Sequence, residues 1–532
     1  MSTALTDLRG LRAGARFLRS LPGFLRERVA ADQARASHRS WQSKRAERWL
    51  DFVRRVAFER SPSATGQLLR HAGVTYGDLV ELVATEGLEG ALRSLLAAGV
   101  YVTVDEFKGR TTLVRGSLRL DLGPSDLTNP LATSHVPARS GGSRSRAAPF
   151  LIDLEYIRAC GSMCALYLEA HGLADAVHGV WETPGAGARF RLLKVASFGP
   201  PPGAWFTPVL PTEPGLDPVF RVSERALRLG ARVAGVGWPR PEIATGLDPL
   251  VIARWARRMM DSGRIVHLFG PPSGAVGLSS AASEAGIDLM GASMTLGGEP
   301  TTESRSRSIR QSGLVGLPRY GSMESGAVGY ACGRPSYPDQ VHVVSDLHAL
   351  IAPGDAGRPA GLPDNAILIT SLHPAAPYCM INLSMGDRAV RGQDDCGCAL
   401  RALGWDTTLH DIRSFEKFTA ARVTFHECDV IELLERSLPE RFGGGPTDYQ
   451  LVESEGVEGS PRLRLLVDPS VGAVDESALL EVLMSELGDA SPMARLMERH
   501  LRSFVTFEVE RGPPMRTPSG KVLHLYVENR DP

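Results

Sequence analysis

The sequence predicts a protein of mixed α/β and α+β class: a large N-terminal domain with mixed β-sheets and helices, then a small α+β C-terminal domain. Three observations predict this. At 532 residues the chain exceeds what one ordinary core accommodates, so at least two folded units are expected. Between Arg264 and Asp387, short apolar runs alternate with loops and helical stretches, the pattern of a sheet with connecting helices. After residue 408 the rhythm changes to one of short helices and strands with their own apolar positions.

Residues 1–100 are read as a helical segment packed on the main domain. Arginines from Arg9 to Arg60 alternate with apolar residues such as Leu18, Leu21, Phe24 and Leu25, the spacing of amphipathic helices. Asp7, Glu27, Asp32, Glu47 and Asp51 dilute the positive charge, which favours a solvated helical face over a targeting peptide or a membrane-surface helix. Residues 101–408 form the expected core domain. Short β-like runs over Tyr101 to Leu122 and a turn-rich stretch from Pro124 to Pro137 lead into a Gly/Ser/Arg segment, Ser140 to Arg146, and a helix from Asp153 to Ala170. Strand-like runs follow at Ile265 to Phe269, Leu289 to Leu296, Ala366 to Thr370 and Met380 to Leu383. In residues 409–532 the pattern gives helix at Val430 to Leu438, strands at Tyr449 to Ser454 and Arg462 to Val467, helix at Ala478 to Leu487, and strand at Phe504 to Glu508.

A net charge of −1 excludes the global positive field of a nucleic-acid partner. No apolar run approaches a bilayer-spanning length, and no short apolar core precedes a small-residue cleavage site, so a cytoplasmic location is expected. Seven cysteines, an odd number without a secretion signal, point to reduced thiols rather than a disulfide framework.

Four segments carry chemistry. In Arg139-Ser140-Gly141-Gly142-Ser143-Arg144-Ser145-Arg146, glycines permit close backbone approach while hydroxyls and guanidiniums can meet phosphate oxygens. Leu296-Gly297-Gly298-Glu299-Pro300 is followed by Tyr320-Gly321-Ser322-Met323-Glu324-Ser325-Gly326. The third segment is Asn382-Leu383-Ser384-Met385-Gly386-Asp387, and the fourth Arg516-Thr517-Pro518-Ser519-Gly520-Lys521. Taken singly, Glu324 reads as a helix cap, Asp387 as a turn residue and Lys521 as a solvated charge. Their joint order and spacing overturn that reading.

In that order, from Ser140 to the end of the chain, the segments resemble the core motifs of the acyl-adenylate-forming superfamily that includes acyl-CoA synthetases, and in detail its phenylacetate-CoA ligase-like branch. The resemblance implies an ATP-dependent enzyme with a mobile C-terminal lid, in which a carboxylate attacks the α-phosphate and a thiol then takes the acyl group. Ser140, Gly141, Gly142, Ser143, Arg144 and Ser145 match the loop holding the β- and γ-phosphates. Gly298 and Glu299 fall among the nucleotide-binding positions. Glu324 matches the Mg²⁺-binding glutamate, and Tyr320, Gly321 and Ser322 match the residues lining the adenine and α-phosphate. Asp387 matches the acceptor for the ribose hydroxyls, and Lys521 the lid lysine bridging carboxylate and phosphate. Two departures stand out. Arginines occupy the phosphate loop in place of threonines with a nearby lysine. The junction pattern Gly-Arg-x-Asp-Asp appears as Gly404-Trp405-Asp406-Thr407-Thr408, leaving Arg401 or Arg413 to replace the ribose-contacting arginine, with a hinge between Thr407 and Asp411.

Cys396 and Cys398, with distant Cys332 and His342, could complete a tetrahedral Zn²⁺ site, as in some phenylacetate-CoA ligase-like proteins; ordinary buried cysteines are the alternative. Cys428 beside His426 offers an enzyme thiol as acyl acceptor. His171, His178, His267 and His373 are read as structural. Apolar residues from Ile157 to Trp181, with Trp205, Phe206 and Ala292 to Leu296, are the expected lining for an aromatic or fatty acyl group. The expected partners are a small carboxylic acid with ATP and Mg²⁺, and coenzyme A or an acyl carrier protein. An amine acceptor, an enzyme cysteine, and a nucleotide-binding protein without catalysis remain alternatives.

Overall fold

The computed structural model of the chain describes residues 2–60, 63–132, 135–139, 149–210, 218–246, 248–355, 362–393, 395–415, 418–420, 423–425, 427–455, 461–489, 506–517 and 520–528. Helices Ser2–Arg26, Ala31–Ser43, Arg45–Val53 and Tyr76–Ala97 begin the chain. Thr75 caps the last of these: its hydroxyl accepts from the Asp78 N–H while the Asp78 carboxylate accepts from the Thr75 N–H. Phe17, Leu21, Phe24, Leu25, Trp49 and Val53 are buried in the same hydrophobic core as the main sheet. Leu18, one residue off that stripe, faces outward, because helical periodicity turns it about 100° away from Phe17.

The main sheet has twelve strands. Their spatial order is His348–Ile351, Ala366–Ser371, Leu383–Gly392, Thr408–Ser414, Val341–Val343, Gly326–Ala331, Val315–Ser322, Ala292–Gly297, Val266–Gly270, Val177–Trp181, Ala204–Thr207 and Pro241–Ile243. The run from Val315–Ser322 to Pro241–Ile243 is parallel throughout. The pairings beyond it are antiparallel. Every residue of Val266–Gly270 is buried, His267 included, which is why this strand shows no polar alternation. Helices Leu154–Ala170 and Ala186–Ala196 share the larger core, whereas Leu250–Asp261 and Pro272–Glu284 pack with the parallel strands in a second one. Asp153 starts the first of these helices by accepting from the N–H groups of Glu155 and Tyr156.

The expected strand at Met380 to Leu383 is displaced: pairing begins at Leu383 and continues to Gly392. Asn382 is the cause, since its φ of +49° takes it out of the extended region. Its side-chain amide donates to the carbonyls of Leu92 at 2.8 Å and Val100 at 3.1 Å, tying the N-terminal helices to the sheet. The strand Thr408–Ser414 pairs with Leu383–Gly392 and Val341–Val343, so the chain leaves the main sheet after Ser414.

Beyond it, Glu427–Glu432, a wider turn over Leu433–Ser437, and Leu438–Phe442 continue as one helical run. A four-stranded sheet follows in the order Thr506–Arg511, Pro461–Val467, Tyr449–Glu455 and Leu525–Val527, with helix Glu476–Asp489 against it. Leu434, Leu438, Leu451, Leu463, Leu465, Leu479 and Leu483 form its own core. No helix among the described residues is long and apolar enough to cross a membrane.

Replacing Asn382 by leucine leaves two buried carbonyls without a donor and forces an unsuitable residue into a positive φ. The expected loss is about 2–4 kcal/mol, read as a lowered denaturation midpoint. An unchanged midpoint would show that the two carbonyls find other donors.

Candidate active site

The motif residues collect at the carboxyl ends of the central parallel strands, where loops are free to present backbone and side chains to a ligand. Gly297 and Arg319 stand opposite each other at the ends of Ala292–Gly297 and Val315–Ser322. Immediately beyond lie Gly298-Glu299 on one strand and Tyr320-Gly321-Ser322 on the other. Gly321 has φ +149°, and a side chain there would run into the Gly326 carbonyl, so glycine is required for the strand to fold back on itself. In that turn the Ser322 hydroxyl accepts from the N–H groups of Glu324 at 3.2 Å and Ser325 at 3.1 Å. Tyr156 donates to the Ser325 carbonyl at 2.6 Å from below. The turn therefore holds Glu324, whose carboxylate makes no ion pair among the described residues.

Asp387 reaches the same place from the antiparallel side. The Tyr320 hydroxyl donates to its carboxylate at 3.0 Å, and burial together with the Asp387 charge pushes the Tyr320 phenol well above its ordinary range, so it stays a donor. Arg413, paired with Asp339 at 2.8 Å, lies in the strand adjoining Asp387. Arg401 points elsewhere, toward Asp395 at 3.2 Å and Asp406 at 3.9 Å. Of the two candidate arginines, only Arg413 shares the neighbourhood of Asp387.

Lys521 arrives from the C-terminal unit. Thr517 and Lys521 close a turn, with the Thr517 N–H donating to the Lys521 carbonyl at 2.9 Å and the Lys521 N–H to the Thr517 hydroxyl at 3.1 Å. Buried Gln450 holds both flanks of this segment through the carbonyls of Met515 at 2.9 Å and Leu523 at 2.7 Å. The ammonium comes to rest on Gly298, where a Cβ would lie 2.6 Å from Nζ; the φ of +89° at Gly298 and this contact both exclude a side chain.

A buried charge network fastens this arrangement. Arg305, 1% exposed, pairs with Glu299 at 2.7 Å on the body side and with Glu435 at 2.7 Å on the C-terminal side. His524 contacts Glu435 at 2.6 Å, and Thr302 donates to the same carboxylate. Ser273 donates to Glu299 at 2.8 Å and accepts from the Val522 N–H at 3.3 Å, while Arg516 donates to the Gly246 carbonyl at 3.3 Å. Glu299, read from the sequence as a nucleotide-binding residue, thus has its carboxylate turned into the junction. The sequence reading missed Arg305, Glu435 and His524. Arg305 sits in Glu-Ser-Arg-Ser-Arg-Ser-Ile-Arg, a stretch that looks like a solvated helix.

The phosphate-loop residues Ser140, Gly141, Gly142, Ser143, Arg144 and Ser145, together with His426 and the Cys428 side chain, lie outside the described residues. The expected acyl-pocket lining is split by strand alternation. Tyr167 and Thr295 hydrogen-bond to each other at 3.0 Å, whereas Trp181 and Phe206 pack with Trp255 in the second core. His178 and His267 meet at 3.1 Å in the interior, both held neutral by burial, which pulls His178 down to about 4. Cavities of about 660 and 420 Å³ beside Arg45 and Arg391, and beside Trp41 and His373, include no residue of the four chemistry-bearing segments; the first is lined in part by Gly404, Asp406 and Thr407 of the junction pattern.

A second constellation gathers Cys332, His342, Cys396 and Cys398, whose ligating atoms all lie within 4.8 Å of one another. His342 Nδ1 meets the Trp405 carbonyl at 2.7 Å, which directs Nε2 at Cys396 Sγ (3.4 Å) and Cys398 Sγ (3.2 Å). Three thiols and one oriented imidazole with its outer nitrogen on a carbonyl are the donor set and second layer of a closed Zn²⁺ site.

No family model matches the chain. No curated protein matches it either. Among solved structures, it resembles 2-hydroxyisobutyryl-CoA ligase in the postadenylation state with 2-HIB-AMP, at TM-score 0.51 and 15% identity, over 94% of this chain and 91% of that one. The same ligase with 2-HIB-AMP and CoA in the thioesterification state gives TM-score 0.46 at 15% identity over 91% and 89%. An anthranilate CoA ligase with anthranoyl-AMP gives 0.40 at 10% over 74% and 66%. The chain has the fold of that 2-hydroxyisobutyryl-CoA ligase.

Arg305→Met strands two buried carboxylates and should lower stability by about 3–5 kcal/mol in chemical denaturation. Acid should act through the same network. Burial pushes the Glu435 carboxyl up, but Arg305 and His524 more than offset it, so its folded pKa is depressed. A depressed carboxylate contributes stability above its unfolded value, about 4.3, and loses it as pH falls through the folded value. Glu435→Gln should therefore flatten the fall in stability below about pH 4. An unaltered acid limb would remove Glu435 from this role.

Proposed function

We propose that this chain activates a carboxylic acid with ATP, forming an acyl-adenylate and pyrophosphate, and then transfers the acyl group to a thiol, either coenzyme A or a carrier-protein phosphopantetheine arm. The observation that carries this reading is the Lys521 ammonium seated on Gly298, at the strand ends that also present Tyr320, Glu324 and Asp387. Attack of a carboxylate on the α-phosphate gathers negative charge from both reactants, and a cation already in place stabilises that charge without reorganising. Lys521 makes no ion pair among the described residues, so its charge is available to the reacting groups. Asp387 keeps acceptor capacity beyond its bond to Tyr320 and suits the ribose hydroxyls. Glu324 would hold Mg²⁺, which neutralises charge on the departing phosphates.

The reading divides the molecule into a helical segment (1–100), a core domain (101–408) and a lid (409–532), with one adjustment: because Thr408–Ser414 pairs in the main sheet, residues 409–414 go with the core and the pivot falls after Ser414 rather than between Thr407 and Asp411. Lid rotation would withdraw Lys521 and admit the thiol. The 2-hydroxyisobutyryl-CoA ligase with the same fold holds an acyl-AMP, which supports adenylation as the first half-reaction. Cys332, His342, Cys396 and Cys398 would hold Zn²⁺ as a structural clamp between the Gly326–Ala331 edge and the segment leading to Thr408.

Pyrophosphate release is the decisive measurement, taken over a panel of acids with and without coenzyme A. No release with any acid would leave a nucleotide-binding protein. Release without thioester would point to an amine or the Cys428 thiol. Lys521→Ala should reduce adenylation by a factor on the order of 100 or more while thioester formation from supplied acyl-AMP is nearly retained. Equal loss in both half-reactions would sink the two-arrangement picture. Metal analysis of purified protein should find about one Zn²⁺ per chain, lost in Cys398→Ser; below about a tenth of an equivalent, the clamp is not a metal site.

A further inference from the structure

Two cations in the body stand without anions. Lys194, on helix Ala186–Ala196, is only 3% exposed, and its ammonium makes no hydrogen bond or ion pair to any described residue. It rests 5.1 Å from the ring centre of Phe269 and 5.9 Å from that of Tyr330. Arg319, the residue before Tyr320, has its Nε buried with no acceptor and no carboxylate partner among the described residues. Arg319 is the register partner of Tyr330, the ring beside which the Lys194 ammonium rests, so both cations border the space beside Tyr330.

Among the described residues, the other groups around that space supply no compensating charge. Arg191 is already paired with Glu182 at 3.0 Å. Burial pushes the Cys160 thiol up to about 12 and the Tyr330 phenol well above its ordinary value, and pulls His178 to about 4 and His267 lower still, leaving all four neutral near pH 7. Lys194 is itself drawn down by burial, to about 8, yet remains largely protonated at neutral pH. A fold gains nothing from burying an ammonium and a guanidinium Nε without an anion, and the desolvation opposes folding. Such an arrangement points to a ligand.

Its position says which ligand. Arg319 is in register with Gly297, and a Cβ on Gly297 would lie 3.3 Å from Arg319 Nη1. The next residue, Gly298, carries the Lys521 ammonium. The cationic space thus begins one residue from the place assigned to the reacting carboxylate, and its walls, Phe269 and Tyr330, are aromatic.

We infer that the acid accepted here is a dicarboxylic acid, whose distal carboxylate is held by Lys194 and Arg319 while Lys521 attends the reacting one. This rests on the adenylation reading above and sharpens its acyl group from aromatic or fatty to doubly anionic. A carboxylate entering the space meets a guanidinium whose Nε is buried without an acceptor and an ammonium that is already desolvated. A monocarboxylic acid of the same skeleton leaves both cations unpaired, and is rejected for that reason.

The test uses the full chain and matched probes: benzoate against terephthalate, and hexanoate against adipate. Calorimetric binding without ATP is measured beside acid-dependent pyrophosphate release. At least one diacid should exceed its monoacid in kcat/KM by a factor on the order of 100. In Lys194→Met the KM for that diacid should rise by a similar factor while the KM for ATP holds, and the melting temperature should not fall, since the variant removes an unpaired buried charge. Monoacids used as well as diacids would overturn the inference and leave adenylation standing. A raised KM for ATP in Lys194→Met would overturn it in favour of a phosphate contact. Diacid binding that Lys194→Met abolishes, without pyrophosphate release from any acid, would support the cationic space and sink the adenylation reading instead. Binding of neither diacid overturns the inference.

Discussion

Arg305 is the contact on which the geometry of the site depends. It lies almost wholly buried between Glu299 of the body and Glu435 of the C-terminal unit, with His524 closing the group on the far side. His524 is three residues from Lys521, and Val522 between them donates to Ser273, which also binds Glu299. Fixing His524 against Arg305 therefore fixes the lysine over Gly298. Buried ion pairs add little net stability when formed, because desolvation consumes most of the attraction, but losing one partner is expensive. A junction built this way favours one register of the two units strongly while costing little to assemble, which suits an interface that has to define a position.

The main sheet makes the receiving surface. Its parallel half ends at Val315–Ser322, and from there the pairing is antiparallel, so loops from both halves converge at that boundary. Gly298 and Gly321 adopt backbone conformations and close approaches that leave no room for a side chain. The first admits the lysine, and the second lets the strand fold back so that Ser322 can orient Glu324. Farther along the antiparallel half, the cluster of three cysteines and His342 joins the end of Gly326–Ala331 to the segment that returns through Trp405 to Thr408. Trp405 in turn donates to Asp346, which also meets His38 of the N-terminal helices at 2.8 Å. The helical segment, the thiol cluster and the sheet are thus one connected polar path through an apolar core.

Strands that carry apolar runs, such as Ala366–Ser371, were legible because burial on both faces leaves its mark in every residue. The helix from Asp153 was legible from its cap and its period. The start of Leu383–Gly392 was not, since the left-handed Asn382 answers to carbonyls of Leu92 and Val100 in another part of the chain. The same limit explains the acyl lining: residues close in sequence alternate across the sheet, so Trp181 and Thr295 were grouped together although they belong to different cores.

Local chemistry was determined by the sequence alone: the motif order, the glycine at 321 where a side chain would meet Gly326, the Ser322 turn holding Glu324, and the four ligand-type residues at 332, 342, 396 and 398. These depend on residue type and on conformations set within a few residues. Only the tertiary structure decided that Glu299 faces Arg305, that Arg413 and not Arg401 neighbours Asp387, and that Lys194 comes to rest beside Tyr330, the register partner of Arg319. The physical reason is that a charge in a low-dielectric interior takes its meaning from what packs beside it. Arg305 and His524, 219 residues apart, meet only because two separately cored units fold and dock.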